Sequence, residues 1–148
     1  MVLQSKRYVD ITVGDTFSAY MTITDAHLTL GAALIGDFNP LHVDDAFARR
    51  SRHRGRILHG VLTSAIIGAP LGMLFAGTAL GYLEHNCRFL APVRAGDSLS
   101  TKWTVIATES KPRHDGGVVQ ATAECVNQVG VVVARASGAM LVANRQIA

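Results

Sequence analysis

Cysteine is scarce in this chain. The only two, Cys87 and Cys125, lie far apart with no CxxC pair and no Cys/His cluster. That argues against a disulfide framework and against a cysteine metal site, and leads us to expect reduced thiols and a cytoplasmic protein. The opening "MVLQSKRYVD" lacks the apolar core of a secretory signal, so export is not expected. Repeats, low-complexity tracts and linkers are missing too, and the 148 residues (1–148) are expected to form one domain. Charge is absent from "GVLTSAIIGAPLGMLFAGTALGYL", a run of 24 residues from Gly60 to Leu83 that is long enough to span a bilayer. Five glycines and Pro70 interrupt it, and its last third reads as the start of a strand. A soluble core helix wrapped by other structure is therefore expected, with no membrane partner.

Hydrophobic residues make up 49% of the chain, which excludes general disorder. The net charge is +3, yet eleven of the fourteen basic residues are arginine, and five of these crowd into "RRSRHRGR", Arg49 to Arg56.

The N-terminal half reads as helical and loop-rich. "FSAYMTIT", Phe17 to Thr24, has strand composition, and Thr24 with Asp25 can cap a helix that ends at Gly36, with Leu28, Ala32 and Ile35 as its apolar stripe. Asp44 and Asp45 can open a short helix through "AFARRSRHR", closed by Gly55, with acids first and arginines last as the macrodipole prefers. The apolar helix begins near Gly60. After it come four segments rich in Val, Thr and aromatics: Thr78 to Val93, Ser98 to Ser110, Gly117 to Gln128 and Val131 to Asn144, with "RAGD", "KPRHDGG" and "NQVG" as the turns between them. A central helix followed by hairpin-connected strands implies an α+β fold, an antiparallel sheet curled around the helix.

Two stretches carry chemistry. "GDFNPLH", Gly36 to His42, holds Asp37, Asn39 and His42 around Pro40. On a continuous helix Asp37 and His42 would point about 140° apart. Pro40 biases Asn39 away from the α region and supplies no N–H, so the segment must turn, and a turn can bring carboxylate and imidazole to a common point. Aimed at one water, the two can share the giving and taking of a proton, as addition of water to a conjugated carbonyl compound requires. The alternative is a helix stop followed by an Asx-type turn, with His42 idle. In "GRILHGVLTSAIIG" the apolar helix starts without Ser, Thr, Asp or Asn at its cap. Its first N–H groups, Gly60 foremost, can serve a ligand oxygen as an oxyanion site; otherwise Gly60 only relieves crowding. Ser64, one turn on, either touches a substrate or bonds its own helix backbone.

"LIGDFNPLHVDDAFA" followed by "ILHG" resembles the hydratase-2 signature of the MaoC-like, (R)-specific enoyl-CoA hydratases, and the similarity extends through "CRFLAPVRAGDSLS" to the final strand. The resemblance implies a hotdog fold, a curved antiparallel sheet wrapped around a long apolar helix and paired into a homodimer or a higher oligomer of dimers. It implies that Asp37 and His42 hold the water added across a trans-2-enoyl thioester, with His42 as base at C3 and Asp37 as proton donor at C2, or the reverse. Asn39 would brace the turn or bond near the site, and the Gly60 amide would polarise the thioester carbonyl. No metal or redox cofactor is implied; coenzyme A enters as part of the substrate, and an acyl carrier protein is the alternative carrier of the acyl group. Ile35 departs from the pattern, since many relatives carry a small hydroxyl residue just before the Gly-Asp.

Two rivals share the fold: an acyl-CoA thioesterase, whose water attacks the carbonyl, and a non-catalytic acyl-binding subunit. The arginine cluster fits coenzyme A phosphates, an acidic carrier protein or a solvated helix end. Nucleic acid is not expected, because no aromatic residues are interleaved with the arginines. Arg88 and Lys102 lie on expected strands, where they reach a ligand or serve as surface charge. His59, His85 and His114 lack metal-ligand spacing and are assigned no role.

Overall fold

A computed structural model describes residues 5–147; the stretch read above for an export signal lies partly outside them. The chain forms β1 (Thr16–Thr22), α1 (Asp25–Ile35), α2 (Pro40–Val43), α3 (Asp45–Arg50), α4 (Gly60–Leu74), β2 (Ala79–Phe89), β3 (Ser98–Lys111), β4 (Gly116–Val126) and β5 (Val132–Ala143). The strands make one antiparallel sheet in the order β1-β3-β4-β5-β2, so β1 and β2 are its edges. The last four strands fall on the four segments expected from composition, each within a few residues.

Alternation fixes which way the sheet faces. In β3 the inward Leu99, Thr101, Trp103 and Val105 are buried, while Lys102 is exposed. Lys102 and Arg88, the latter paired across from Arg135, are outward surface charges. The inward face wraps α4, whose Ile67 and Leu71 are fully buried beside Trp103, Val119, Val133 and Met140. Trp103 donates its indole N–H to the carbonyl of Ile67 at 2.9 Å, tying helix to sheet through a satisfied buried donor. Gly138 allows the close approach: a Cβ there would lie 2.9 Å from Leu71 Cδ2.

Three local expectations need correction. Ile35 is 41% exposed, and Gly31 takes its place with Leu28 and Ala32 on the buried face of α1. α3 stops at Arg50 rather than at Gly55, because the Ser51 hydroxyl donates to Ala48 O and accepts from His53 N, and Arg54 adopts φ 59°. α4 is not wrapped on all sides: Val61, Ala65, Ala69 and Met73 are exposed. No helix among the described residues is long and apolar enough to cross a membrane.

Candidate active site

The site is built where α1 ends. Gly36 closes the helix at φ 74°, in the left-handed region open to glycine, and its N–H reaches Ala32 O. Asp37 Oδ1 then accepts from Asn39 N at 3.1 Å, and Asn39 Oδ1 from Leu41 N at 3.0 Å. Asn39 thus caps α2 with Pro40 at its first position, and the single turn of α2 swings His42 back beside Asp37. The Asx turn and the convergence of Asp37 with His42, posed above as alternatives, occur together.

His42 Nε2 stands 3.8 Å from Asp37 Oδ2, with the imidazole 11% and the carboxylate 47% exposed. At 3.8 Å they share no direct hydrogen bond, and the gap is of a size that a water bonded to both would bridge. The other ring nitrogen, Nδ1, lies 2.8 Å from Ile57 O. A carbonyl can only accept, so in the neutral ring Nδ1 carries the proton and Nε2 presents its lone pair toward Asp37.

His59 completes the corner, and the sequence reading missed it. Its side chain is 1% exposed, its Nε2–H donates to Asp37 O at 2.9 Å, and its ring centroid lies 3.8 Å from that of His42 at a 31° tilt. It therefore fixes the backbone of Asp37 and packs on the face of His42 at once. The available signal was its position in "LHG", at a helix cap whose side chain does not serve its own helix.

Asp37, His42 and His59 each bring a ligand-type atom within 4.8 Å of the others. His42 Nδ1 and His59 Nε2 are each bonded to a backbone carbonyl, which leaves His42 Nε2 and His59 Nδ1 as the nitrogens open to a ligand, the latter buried and without a partner among the described residues.

Gly60, next to His59, opens α4. Among the described residues nothing accepts from its N–H, and the cap makes no side-chain bond. Both readings of this glycine have support, because a Cβ there would also sit 3.2 Å from Phe89 Cε2. Ser64, one turn on, bonds His85 Nε2 at 2.9 Å.

The arginines divide. Arg56 bonds Asp45 at 2.9 Å and pairs with Asp25, and at 18% side-chain exposure it is a bracket between α1 and α3 rather than a solvated charge. Arg49, Arg50, Arg52 and Arg54 are exposed. Burial together with the charges of Arg52 and Arg94 holds the His53 imidazolium below its usual range.

A curved antiparallel sheet around one apolar helix is the hotdog architecture, and here an acid and an imidazole converge near the helix start. The model of the MaoC-like domain matches residues 11–128, and the chain belongs to that family. It is 36% identical over 98 residues to the (R)-specific enoyl-CoA hydratase of Rhodospirillum rubrum, a match covering 66% of this chain and 68% of that protein. It is 35% identical to the 3-hydroxybutyryl-CoA dehydratase of Methylorubrum extorquens, over 64% of this chain and 60% of the other. The unliganded R-hydratase PhaJ1 of Pseudomonas aeruginosa superposes with a TM-score of 0.82 at 30% identity, covering 95% of this chain and 88% of that one. Hydratase and dehydratase name two directions of one reaction, and the chain is an enzyme of that hydro-lyase class.

Proposed function

We propose that the protein adds water to trans-2-enoyl-CoA to give (R)-3-hydroxyacyl-CoA, and catalyses the reverse dehydration. The observation that carries this reading is the His42–Asp37 pair, 3.8 Å apart, with the imidazole tautomer set by Ile57 O. In hydration, His42 Nε2 takes a proton from the bound water as its oxygen bonds C3, Asp37 in its carboxylic-acid form gives its proton to C2, and proton transfer from the imidazolium to the Asp37 carboxylate across the 3.8 Å gap restores both groups. The unoccupied Gly60 N–H, at the positive end of α4, receives the thioester oxygen as enolate charge develops. Acid–base catalysis of this kind contributes factors of about 10² to 10⁴, and one oxyanion donor about 10² to 10³.

The names of the relatives support coenzyme A thioesters as substrates; carrier-protein thioesters belong in the same screen. β2 is an edge strand with Leu80, Leu83 and Phe89 exposed, which favours pairing with β2 of a second copy into a homodimer. Free Cys87 and Cys125 suit the reducing cytoplasm.

The test is to supply crotonyl-CoA and longer enoyl-CoA and follow the conjugated-thioester absorbance alongside thiol release. Loss of absorbance without thiol, giving product oxidised only by an (R)-specific dehydrogenase, is the expected result. Thiol release would indicate a thioesterase, and no change at any chain length a non-catalytic acyl-binding subunit.

A further inference from the structure

A second polar cluster lies beyond the reacting centre, on the seam between α4 and β2. Ser64 Oγ is 2.9 Å from His85 Nε2, and His85 Nδ1 is 3.0 Å from the Tyr82 hydroxyl. The three side chains come from two elements and meet in one unbroken chain of hydrogen bonds. Thr63 turns its hydroxyl back onto His59 O at 3.1 Å, as a helical hydroxyl ordinarily does, whereas Ser64 reaches across to the sheet. Gly68 provides the room, since a Cβ there would lie 3.1 Å from the Tyr82 oxygen and 3.2 Å from His85 Cε1.

The seam starts at the proposed carbonyl anchor. Phe89 lies against Gly60, His85 meets Ser64, and Tyr82 and His85 both border Gly68, so β2 runs back along α4. Four residues of helix advance about 6 Å, which places Ser64 that far along from the Gly60 amide. The cluster is half-open, with Tyr82 43% exposed.

The hydrogen-bond inventory of the cluster is incomplete. A neutral imidazole has one donor and one acceptor, so one flanking hydroxyl donates to the ring and the other accepts from it. The accepting hydroxyl keeps an O–H: on Ser64 the Cys87 thiol is within its reach, and on Tyr82, 43% exposed, it is open to an incoming oxygen. A ligand oxygen that takes this proton gains more than a methylene would.

The geometry points to Ser64, His85 and Tyr82 as a specificity site that selects acyl groups bearing a hydroxyl or carbonyl oxygen beyond the conjugated segment. The inference rests on the hydratase reading and names the substrate class within it. An apolar pocket rejects an added hydroxyl only weakly, while a site built to bond that oxygen discriminates against the analogue that lacks it.

The experiment compares trans-2-hexenoyl-CoA with its 6-hydroxy derivative as substrates of the full chain. The kcat/KM ratio is expected to favour the hydroxylated thioester about ten-fold. Ser64→Ala and His85→Leu each bring it close to one, and His85→Gln, which keeps a donor and an acceptor, retains part of it. A wild-type ratio at or below one, or a ratio that neither variant alters, overturns the inference. The wild-type ratio decides even where a variant fails to fold. Calorimetric binding of hexanoyl-CoA against 6-hydroxyhexanoyl-CoA separates the two readings. Tighter binding of the hydroxylated compound without any turnover defeats the hydratase reading and leaves this one standing; turnover without preference does the opposite.

Discussion

The imidazoles of His42 and His59 stack with centroids 3.8 Å apart, and the second donates from Nε2 to the carbonyl of Asp37. One buried side chain thereby holds the backbone of one member of the proposed acid–base pair and packs on the ring of the other, which in that reading makes it a positioning residue.

His59→Leu removes the donor to Asp37 O and the stacking surface together, and is expected to lower kcat at least ten-fold with KM little changed. Loss of a single buried hydrogen bond costs stability about 1 kcal/mol. His59→Gln can still donate to the carbonyl and should recover most of kcat. Steady-state kinetics of the two variants checks this: equal losses in both, tracking their melting temperatures, would mean that His59 only fills space.

Asp37→Asn and His42→Ala are each expected to cut turnover by about 10² to 10⁴. Their stabilities should differ. Asp37 is 47% exposed, and the amide of Asn can still accept from Asn39 N, so the melting curve stays close to wild type. His42→Ala leaves Ile57 O without its 2.8 Å partner beside an enclosed site, and costs about 1 to 2 kcal/mol. Denaturant unfolding set beside initial rates separates the two effects. Wild-type turnover in either variant would remove that residue from the site.

What was readable in the sequence was mostly local. Gly36 as helix stop, Asp44 as cap of α3 and the Pro40 turn follow from backbone rules acting over four or five residues, and all three stand in the structure. The strands were readable because α4 covers one face of the sheet and leaves alternation in β3 to β5. What escaped depended on partners distant in sequence. Ile35 has the right helical spacing to be buried, but α4 lies against Gly31, whose lack of a Cβ admits Leu62. Arg56 reads as one more solvated arginine until Asp25, 31 positions away, closes on it. His59 stands within the "ILHG" of the signature, but its bond to Asp37 O and its packing on His42 come only from the fold.

Both thiols should react slowly. Burial pushes Cys87 and Cys125 above the ordinary thiol range, against smaller opposing effects of the Ser64 and Thr101 hydroxyls. The thiolate is the nucleophile, so a raised pKa keeps both groups neutral and inert at pH 7. Iodoacetamide labelling of the native protein is expected to lag far behind a free-cysteine standard at pH 7 and to rise only at more alkaline pH than the standard does. In denaturant the two profiles should merge. Fast native labelling at pH 7 would show a thiol in an open or cationic setting.

Gly60 can be tested for its two roles separately, because they call for different repairs. An added Cβ meets the Phe89 ring at 3.2 Å, a contact that the edge of a half-exposed ring can relieve by moving a few tenths of an ångström. If crowding were the whole reason for the glycine, Gly60→Ala would lose activity and Gly60→Ala with Phe89→Leu would regain it. If the reason is access of a carbonyl oxygen to the Gly60 N–H, the methyl remains beside that amide after the ring is cut back. The double variant then stays impaired in kcat, by about 10-fold or more. Its melting temperature should by then have returned toward that of Phe89→Leu alone. Comparing kcat and melting temperature across the four proteins of this cycle assigns the glycine. Full recovery of kcat in the double variant would leave the oxyanion role without support.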